Sequence, residues 1–271
     1  MDNSNHLVFI RWYNQVTNPT STKPRILLFD IENAPSLGWF YDLWKEGNIV
    51  GTKSDQYFLS FAYKWLDERQ VKSFSLPDFK GYKPGSENDE LLVKELWKLF
   101  DEADIVIAHN GNSFDIKKTN ARFAYYKLSP PSPYKSIDTY REAKKYLNLP
   151  SYKLDYIANY FGYGRKLAHT GFHLWKGCMS GEPSAWKHMV KYNKKDVTLL
   201  EKIYLHLRPW IKNHPNISIL MDRTDGCPNC GSLSLMKQGT DITQKGRVQQ
   251  FSCNDCGKWS RGKIEKVTNI S

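Results

Sequence analysis

Two short apolar runs that close on acids constrain this chain most: "RILLFDIEN" from Arg25 and "DIVIAHNGNSFD" from Asp104. Each is too short for a stable helix, and each is bounded by polar residues as buried strands are. Between them, "SENDELLVKELWKLFDEA" spaces its apolar residues at the helical period, with Ser86 the expected N-cap and Glu90 near the first turn. "QYFLSFAYKWL" and "VKSFSL" read as two further strands joined by "DERQ", and "IKKTNARFAYYKL" returns to the helical period. "SIDTYREAKKYLNL", "YKLDYIANYFG" and residues 183–209 continue a mostly helical second half. Strands first, then alternation of helix and strand, predict a mixed α/β sheet flanked by helices.

The organisation expected is a polar lead-in over 1–24, one α/β domain over 25–209, a linker over 210–226, and a cysteine-rich end over 227–271. Pro215 and Gly226 punctuate the linker. The opening "MDNSNHLVFIRWYNQ" has acid and amide residues where a signal peptide carries basic ones. No apolar run approaches the roughly 20 residues that span a bilayer. A cytoplasmic location is expected, or the host cytoplasm for a phage-encoded chain.

Charge is concentrated. The chain carries a net charge of +11, and from Arg141 to Lys195 eleven Lys and Arg stand against three acids. Such a basic excess suits a polyanionic partner, because phosphate neutralisation releases counterions. A solvated lysine-rich surface is the plainer alternative.

Asp30 and Glu32 stand two apart at the end of an apolar strand, so period two puts both carboxylates on one side. A D-x-E pair alone carries little information. Asp115 occupies a similar strand-end position, where it either caps the following helix or joins a site. Tyr192 and Asp196 are four apart in a helical run and share a face. Four carboxylates sharing one site repel one another and resist ionisation unless counter-charge is present. Divalent cations supply it, and an all-oxygen ligand set suits Mg²⁺ or Mn²⁺.

"FDIEN", "IAHNGNSFD" and "YNKKDV" resemble, in order and spacing, the three motifs of the DEDDy exonucleases. These are DnaQ-like 3′–5′ exonucleases of the ribonuclease H-like fold. "SIDTYREAKKYLNLPSYKLDYIANYFG" resembles that family's stretch between the second and third motifs, so the likeness covers about residues 25–208. It is similar above all to the stand-alone YprB-like and family B polymerase proofreading branches. The resemblance implies two Mg²⁺ or Mn²⁺ ions held by Asp30, Glu32, Asp115 and Asp196, with Asp30 shared and Tyr192 orienting the attacking water. It implies a structural or supporting role for Asp138. His109, Asn110 and Asn112 are candidates for contact with the terminal nucleotide, or else they cap their turn. "RKLAHTGFHLWK", from Arg165 and Lys166 onward, is the expected substrate-contacting loop.

Cys227, Cys230, Cys253 and Cys256 form C-x2-C-x22-C-x2-C. Four thiolates from two tight knuckles close a tetrahedral Zn²⁺ site, with a β-hairpin absorbing the long gap. A cytoplasmic chain would keep these thiols reduced rather than bridged. The segment resembles a zinc ribbon, one structural Zn²⁺ supplying most of its folding free energy. Lys245, Arg247, Lys258, Arg261, Lys263 and Lys266 make nucleic acid one candidate partner for it, and a docked protein the other. Cys178 stands alone and is expected to be buried or incidental.

The sequence therefore points to a two-metal-ion 3′–5′ exonuclease acting on single-stranded or frayed nucleic acid, with DNA slightly favoured over RNA. A structure-selective endonuclease on the same fold, and a non-catalytic nucleic-acid-binding adaptor, are the alternatives.

Overall fold

The computed structural model describes residues 23–41 and 49–265. The lead-in expected over 1–24 therefore lies outside the described residues except for its last two, and so does Lys266. In chain order the elements are β1 (Ile26–Asn33), β2 (Leu37–Trp39), β3 (Gly51–Ser54), β4 (Phe58–Trp65), β5 (Lys72–Ser75), α1 (Glu90–Glu102), β6 (Ile105–Ala108), α2 (Asp115–Tyr125) and β7 (Lys135–Asp138). There follow α3 (Thr139–Tyr146), α4 (Leu154–Tyr160), α5 (Phe172–Met179), α6 (Pro183–Leu207), α7 (Ile217–Leu220), β8 (Leu235–Thr243), β9 (Gly246–Cys253) and β10 (Trp259–Glu265).

Five strands form one mixed sheet in the order β5-β4-β1-β6-β7. β4 runs antiparallel to β1, whereas β6 runs parallel to β1 and β7 parallel to β6. Every residue of β4 is buried, as a strand covered on both faces requires. Leu27, Phe29 and Ile31 enter one core with α1 and the first half of α6; Ile26 and Leu28 enter a second core with α3, α4 and the rest of α6. Burying each such side chain contributes roughly 1.5–3 kcal/mol. A one-residue slip of β1 would turn all of them to the wrong face, so its register is fixed. That register fixes the direction in which Asp30 and Glu32 project.

The mixed α/β sheet flanked by helices agrees with the sequence reading; four local features differ. Helix α1 begins at Glu90 with Asp89, not Ser86, at its cap position. The Asp89 carboxylate accepts from Phe58 N–H (2.7 Å), Arg122 Nε (2.9 Å) and the Tyr126 hydroxyl (2.6 Å), tying three elements together. Leu37–Trp39 and Gly51–Ser54 pair antiparallel as β2 and β3, which no apolar alternation announced. Only residues 165–171 of the expected contact loop are loop, because α5 starts after Gly171 (φ 63°) and buries Leu174 and Cys178. Finally, the segment expected as a linker is packed: Ile211 and Ile217 belong to the second core.

Candidate active site

Asp30 and Glu32 leave the same side of β1 at its carboxyl end, where α6 crosses the sheet. There, carboxylate oxygens of Asp30, Glu32 and Asp196 all lie within 4.8 Å of one another. Tyr192 and Asp196 share the inner face of α6, both buried. So does Asn193, to which sequence reasoning assigned no role in the site. Its Nδ2 donates to Asp30 Oδ2 (2.7 Å) and to the Asp30 carbonyl (3.1 Å), while its Oδ1 accepts from Ser60 Oγ (3.2 Å). An asparagine three residues before Asp196 in the same helical run was the available signal, since a helix residue at that spacing faces the same way.

Asp115 arrives from the neighbouring strand. β6 stops pairing with β1 after the Leu28–Ile107 match. The Asp115 carboxylate then faces the next β1 donor on that side, the Ile31 N–H, standing in for the strand that has ended. Two features make the turn before it possible. Asn110 adopts φ 61°, a left-handed value that asparagine tolerates. Gly111 admits no side chain, because a Cβ there would lie 2.4 Å from Ala108 Cβ. Asp138 clamps the turn, accepting from Asn110 N–H (2.8 Å) and Asn112 N–H (3.2 Å), and also caps α3.

His109 is a tie rather than an open hand. Its Nε2 donates to the Tyr152 carbonyl (2.8 Å) and its Nδ1 accepts from the Thr139 hydroxyl (2.9 Å). Burial holds the ring neutral, lowering its pKa to about 4, which suits this arrangement. Both nitrogens are committed within the protein, which leaves none for the substrate contact considered from sequence. Asn110 does line the cleft.

Lys166 reaches into the centre of the acids. Its Nζ lies 2.6 Å from Asp196 Oδ2 and donates to Tyr192 Oη at 3.1 Å. Arg165 instead points outward, pairing with Asp155 at 2.9 Å. Trp175 lies beside Glu32, and His169 packs edge-on against both Trp175 and Tyr192, with ring centroids 5.1 and 5.0 Å away. Burial and then the Asp196 charge raise Tyr192 to about 12, so the phenol stays protonated at neutral pH.

The acids are electrostatically crowded. Burial, and then repulsion from Asp196, lifts Glu32 to about 8; burial lifts Asp115 to about 7. Asp30 is raised well above the ordinary range by burial and by the charges of Asp196, Asp115 and Glu32. One ammonium does not neutralise four carboxylates. Asp196 Oδ1, moreover, is buried without a hydrogen-bond partner. An oxygen-only donor set with a lone pair facing inward fits a hard divalent cation. The cluster opens to solvent through a cleft of about 330 Å³, whose walls include Asn33, Phe114 and Trp175.

A family model for the RNase_H superfamily matches residues 46–208. The chain belongs to the RNase_H superfamily. No curated protein matches it in sequence. Among solved structures, this RNase_H superfamily member is similar to the family B DNA polymerase from the hyperthermophilic archaeon Pyrobaculum calidifontis. That likeness has a TM-score of 0.50 and 16% identity, over 82% of this chain and 31% of the polymerase. At that identity it is a likeness of fold, and the chain spans less than a third of the polymerase's length. Among the described residues no helix is long and apolar enough to cross a membrane.

Beyond the matched region, the RNase_H superfamily member gathers Cys227, Cys230, Cys253 and Cys256 with their sulfurs within 4.8 Å of one another. None is in a disulfide. A hairpin of β8 and β9 spans the long gap, and β10 completes a three-stranded sheet. Four sulfurs at this separation fit a tetrahedral Zn²⁺ site. Two of the cations expected to grip nucleic acid are engaged elsewhere: Lys258 Nζ donates to the Ile211 carbonyl (2.8 Å), and Arg261 pairs with Asp241 (2.6 Å). Lys245, Arg247 and Lys263 are exposed. The knuckles are seated on the segment after α6, with Asn229 Nδ2 donating to the Arg208 carbonyl (2.6 Å) and Ile217 N–H to the Pro228 carbonyl (2.7 Å).

Proposed function

We propose that this chain is a DEDDy-type, metal-dependent 3′–5′ exonuclease acting on single-stranded or frayed nucleic acid, DNA in preference to RNA. Residues 25–209 would carry the chemistry, 210–226 the join, and 227–271 a Cys₄ zinc ribbon that adds grip on the strand. The observation that carries the reading is the meeting of Asp30, Glu32 and Asp196 with Tyr192 and Lys166 at an open cleft, with Asp115 on its wall. The order and spacing of the three motifs support the exonuclease direction.

Asp30, Glu32 and Asp196 would hold one Mg²⁺ or Mn²⁺, and Asp30 with Asp115 a second. Such a pair, when bound, stabilises the attacking and leaving oxygens of an in-line displacement at phosphorus. The protein's own groups do the rest. Tyr192 accepts from Lys166 beside Asp196, which holds the phenol in place as a hydrogen-bonding guide for water rather than as a base. Asn193 holds Asp30, with Trp175 beside Glu32 and the Ile31 N–H facing Asp115, so the carboxylates are oriented before substrate arrives. Lys166 supplies positive charge beside the place where a phosphate would lie.

Digestion of 5′-labelled single-stranded DNA and RNA with Mn²⁺, Mg²⁺ or EDTA, beside Asp196→Asn, tests the proposal. A metal-dependent ladder shortening from the 3′ end, absent in the variant, is expected, with DNA the faster substrate. Cutting of a circular single strand would identify an endonuclease instead. Binding without any cleavage would favour the adaptor reading.

A further inference from the structure

Past Asn33, on the side away from the carboxylates, a second groove of about 360 Å³ opens between α2 and the base of the β2–β3 pair. Asn33 lines both the groove and the catalytic cleft. Its side-chain carbonyl accepts from Lys118 Nζ at 3.0 Å, so a cation sits at the junction. Lys118, Arg122 and Tyr125 follow one another at steps of four and three along α2 and therefore form one face. Ser36 and Gln56, both exposed, stand opposite, with Asp55 the lone acid of the lining.

Tyr125 is 68% exposed, yet its ring is not loose. The Arg122 guanidinium lies 4.4 Å from the ring centroid, and Tyr126 packs against it as a T-shaped pair, with ring centroids 4.9 Å apart and planes at 88°. Arg122 is in turn anchored by the fully buried Asp89, which also grips Phe58 N–H and the Tyr126 hydroxyl. An aromatic ring held in one orientation, with a face left to solvent, has little freedom to lose when a flat group stacks on it. Base stacking is what such a platform does well, and it does so without demanding a particular sequence.

We propose that the groove is a second nucleotide subsite. It rests on the nuclease reading above: the strand whose end enters the carboxylate cleft continues past Asn33, meets Lys118 with a backbone phosphate, and lays a base on Tyr125. Ser36 and Gln56 offer donors and acceptors to the sugar or base edge. Continuity through Asn33 singles out the same nucleic acid strand as the occupant.

The test uses the full chain with Tyr125→Ala and Tyr125→Phe. Two readouts are needed: affinity for a labelled single strand of six nucleotides in EDTA, and turnover with Mn²⁺ of a small activated ester, the p-nitrophenyl ester of thymidine 5′-monophosphate. Tyr125→Ala should weaken binding of the six-mer roughly tenfold while leaving turnover of the small ester unchanged, and Tyr125→Phe should match the wild type in both. If the wild-type protein neither binds the strand nor turns over the ester, the nuclease reading fails and the subsite falls with it. If the wild type does both and Tyr125→Ala binds the six-mer equally well, or loses equally on both substrates, the subsite alone is overturned.

Discussion

Replacing Asn193 with alanine removes no proposed metal ligand, yet it should loosen the metal site. The wild-type amide makes three buried contacts: to Asp30 Oδ2 at 2.7 Å, to the Asp30 carbonyl at 3.1 Å and from Ser60 Oγ at 3.2 Å. A hydrogen bond to a charged group contributes about 1.5–3 kcal/mol. At about 2–4 °C per kcal/mol for a domain of this size, its loss should lower the melting temperature by about 3–12 °C. The larger signature is at the metal. Partners that orient a ligating side chain are worth about 10–100-fold in metal affinity. Asn193→Ala should therefore raise the Mn²⁺ concentration needed for half-maximal binding by that factor, with hydrolysis recovering at saturating Mn²⁺ because every ligand remains. Calorimetric titration with Mn²⁺, beside thermal unfolding in EDTA, separates the two effects. A variant that melts earlier but binds Mn²⁺ as tightly as the wild type would refute the orienting role and leave Asn193 as a packing residue.

Three further perturbations probe other parts of the argument. Glu32 rises from an ordinary 4.5 to about 8 and Asp115 from 3.8 to about 7, so the folded chain keeps protons that the unfolded chain has released. Stability without divalent metal should therefore fall as pH rises across that window and regain its level on adding Mn²⁺; a midpoint in EDTA that is flat between those limits would contradict the crowding. Gly111→Ala would push a methyl to 2.4 Å from Ala108 Cβ, displacing the turn that sets Asp115. It should cost about 1–3 kcal/mol in denaturant melts and abolish hydrolysis, and an active variant would show that the turn is not so constrained. With Zn²⁺ held by the four cysteines as proposed, a chelator should lower the unfolding midpoint of the whole chain, because Asn229 and Lys258 are hydrogen-bonded to the segment after α6; two independent transitions, the first confined to the cysteine-rich end, would argue against that seating.

The carboxylates were legible because each sits in a local pattern that carries its own geometry. A strand of period two aims Asp30 and Glu32 together, and a helix of period 3.6 aims Tyr192 and Asp196 together. The four cysteines likewise announce themselves in pairs. What supports them was not legible, because it depends on chain segments far apart in sequence. Ser60 lies on β4 opposite Glu32 and Asn193 on α6, and only the packing of that helix on the sheet brings Ser60 to Asn193 and Asn193 to Asp30. The missed cap of α1 has the same origin. Ser86 had the right chemistry at the right place, but Asp89 is drawn inward by Arg122 and Phe58 N–H, and the helix starts where that cluster lets it. Lys166 was read as a substrate contact in the expected loop; its position among the acids required that loop to fold back over α6, held by Asp155 accepting from Lys166 N–H at 2.8 Å.

The seating of the cysteine-rich end on the residues just after α6 makes the molecule a caliper. Asp196 and Leu207 lie on the same rigid helix, separated by about 17 Å at 1.5 Å per residue. One jaw is the acid cluster and the other is the sulfur-bound sheet. A strand gripped by both at once has a shortest allowed length set by that fixed span, so digestion should change pace when the remaining fragment becomes too short to bridge the two jaws.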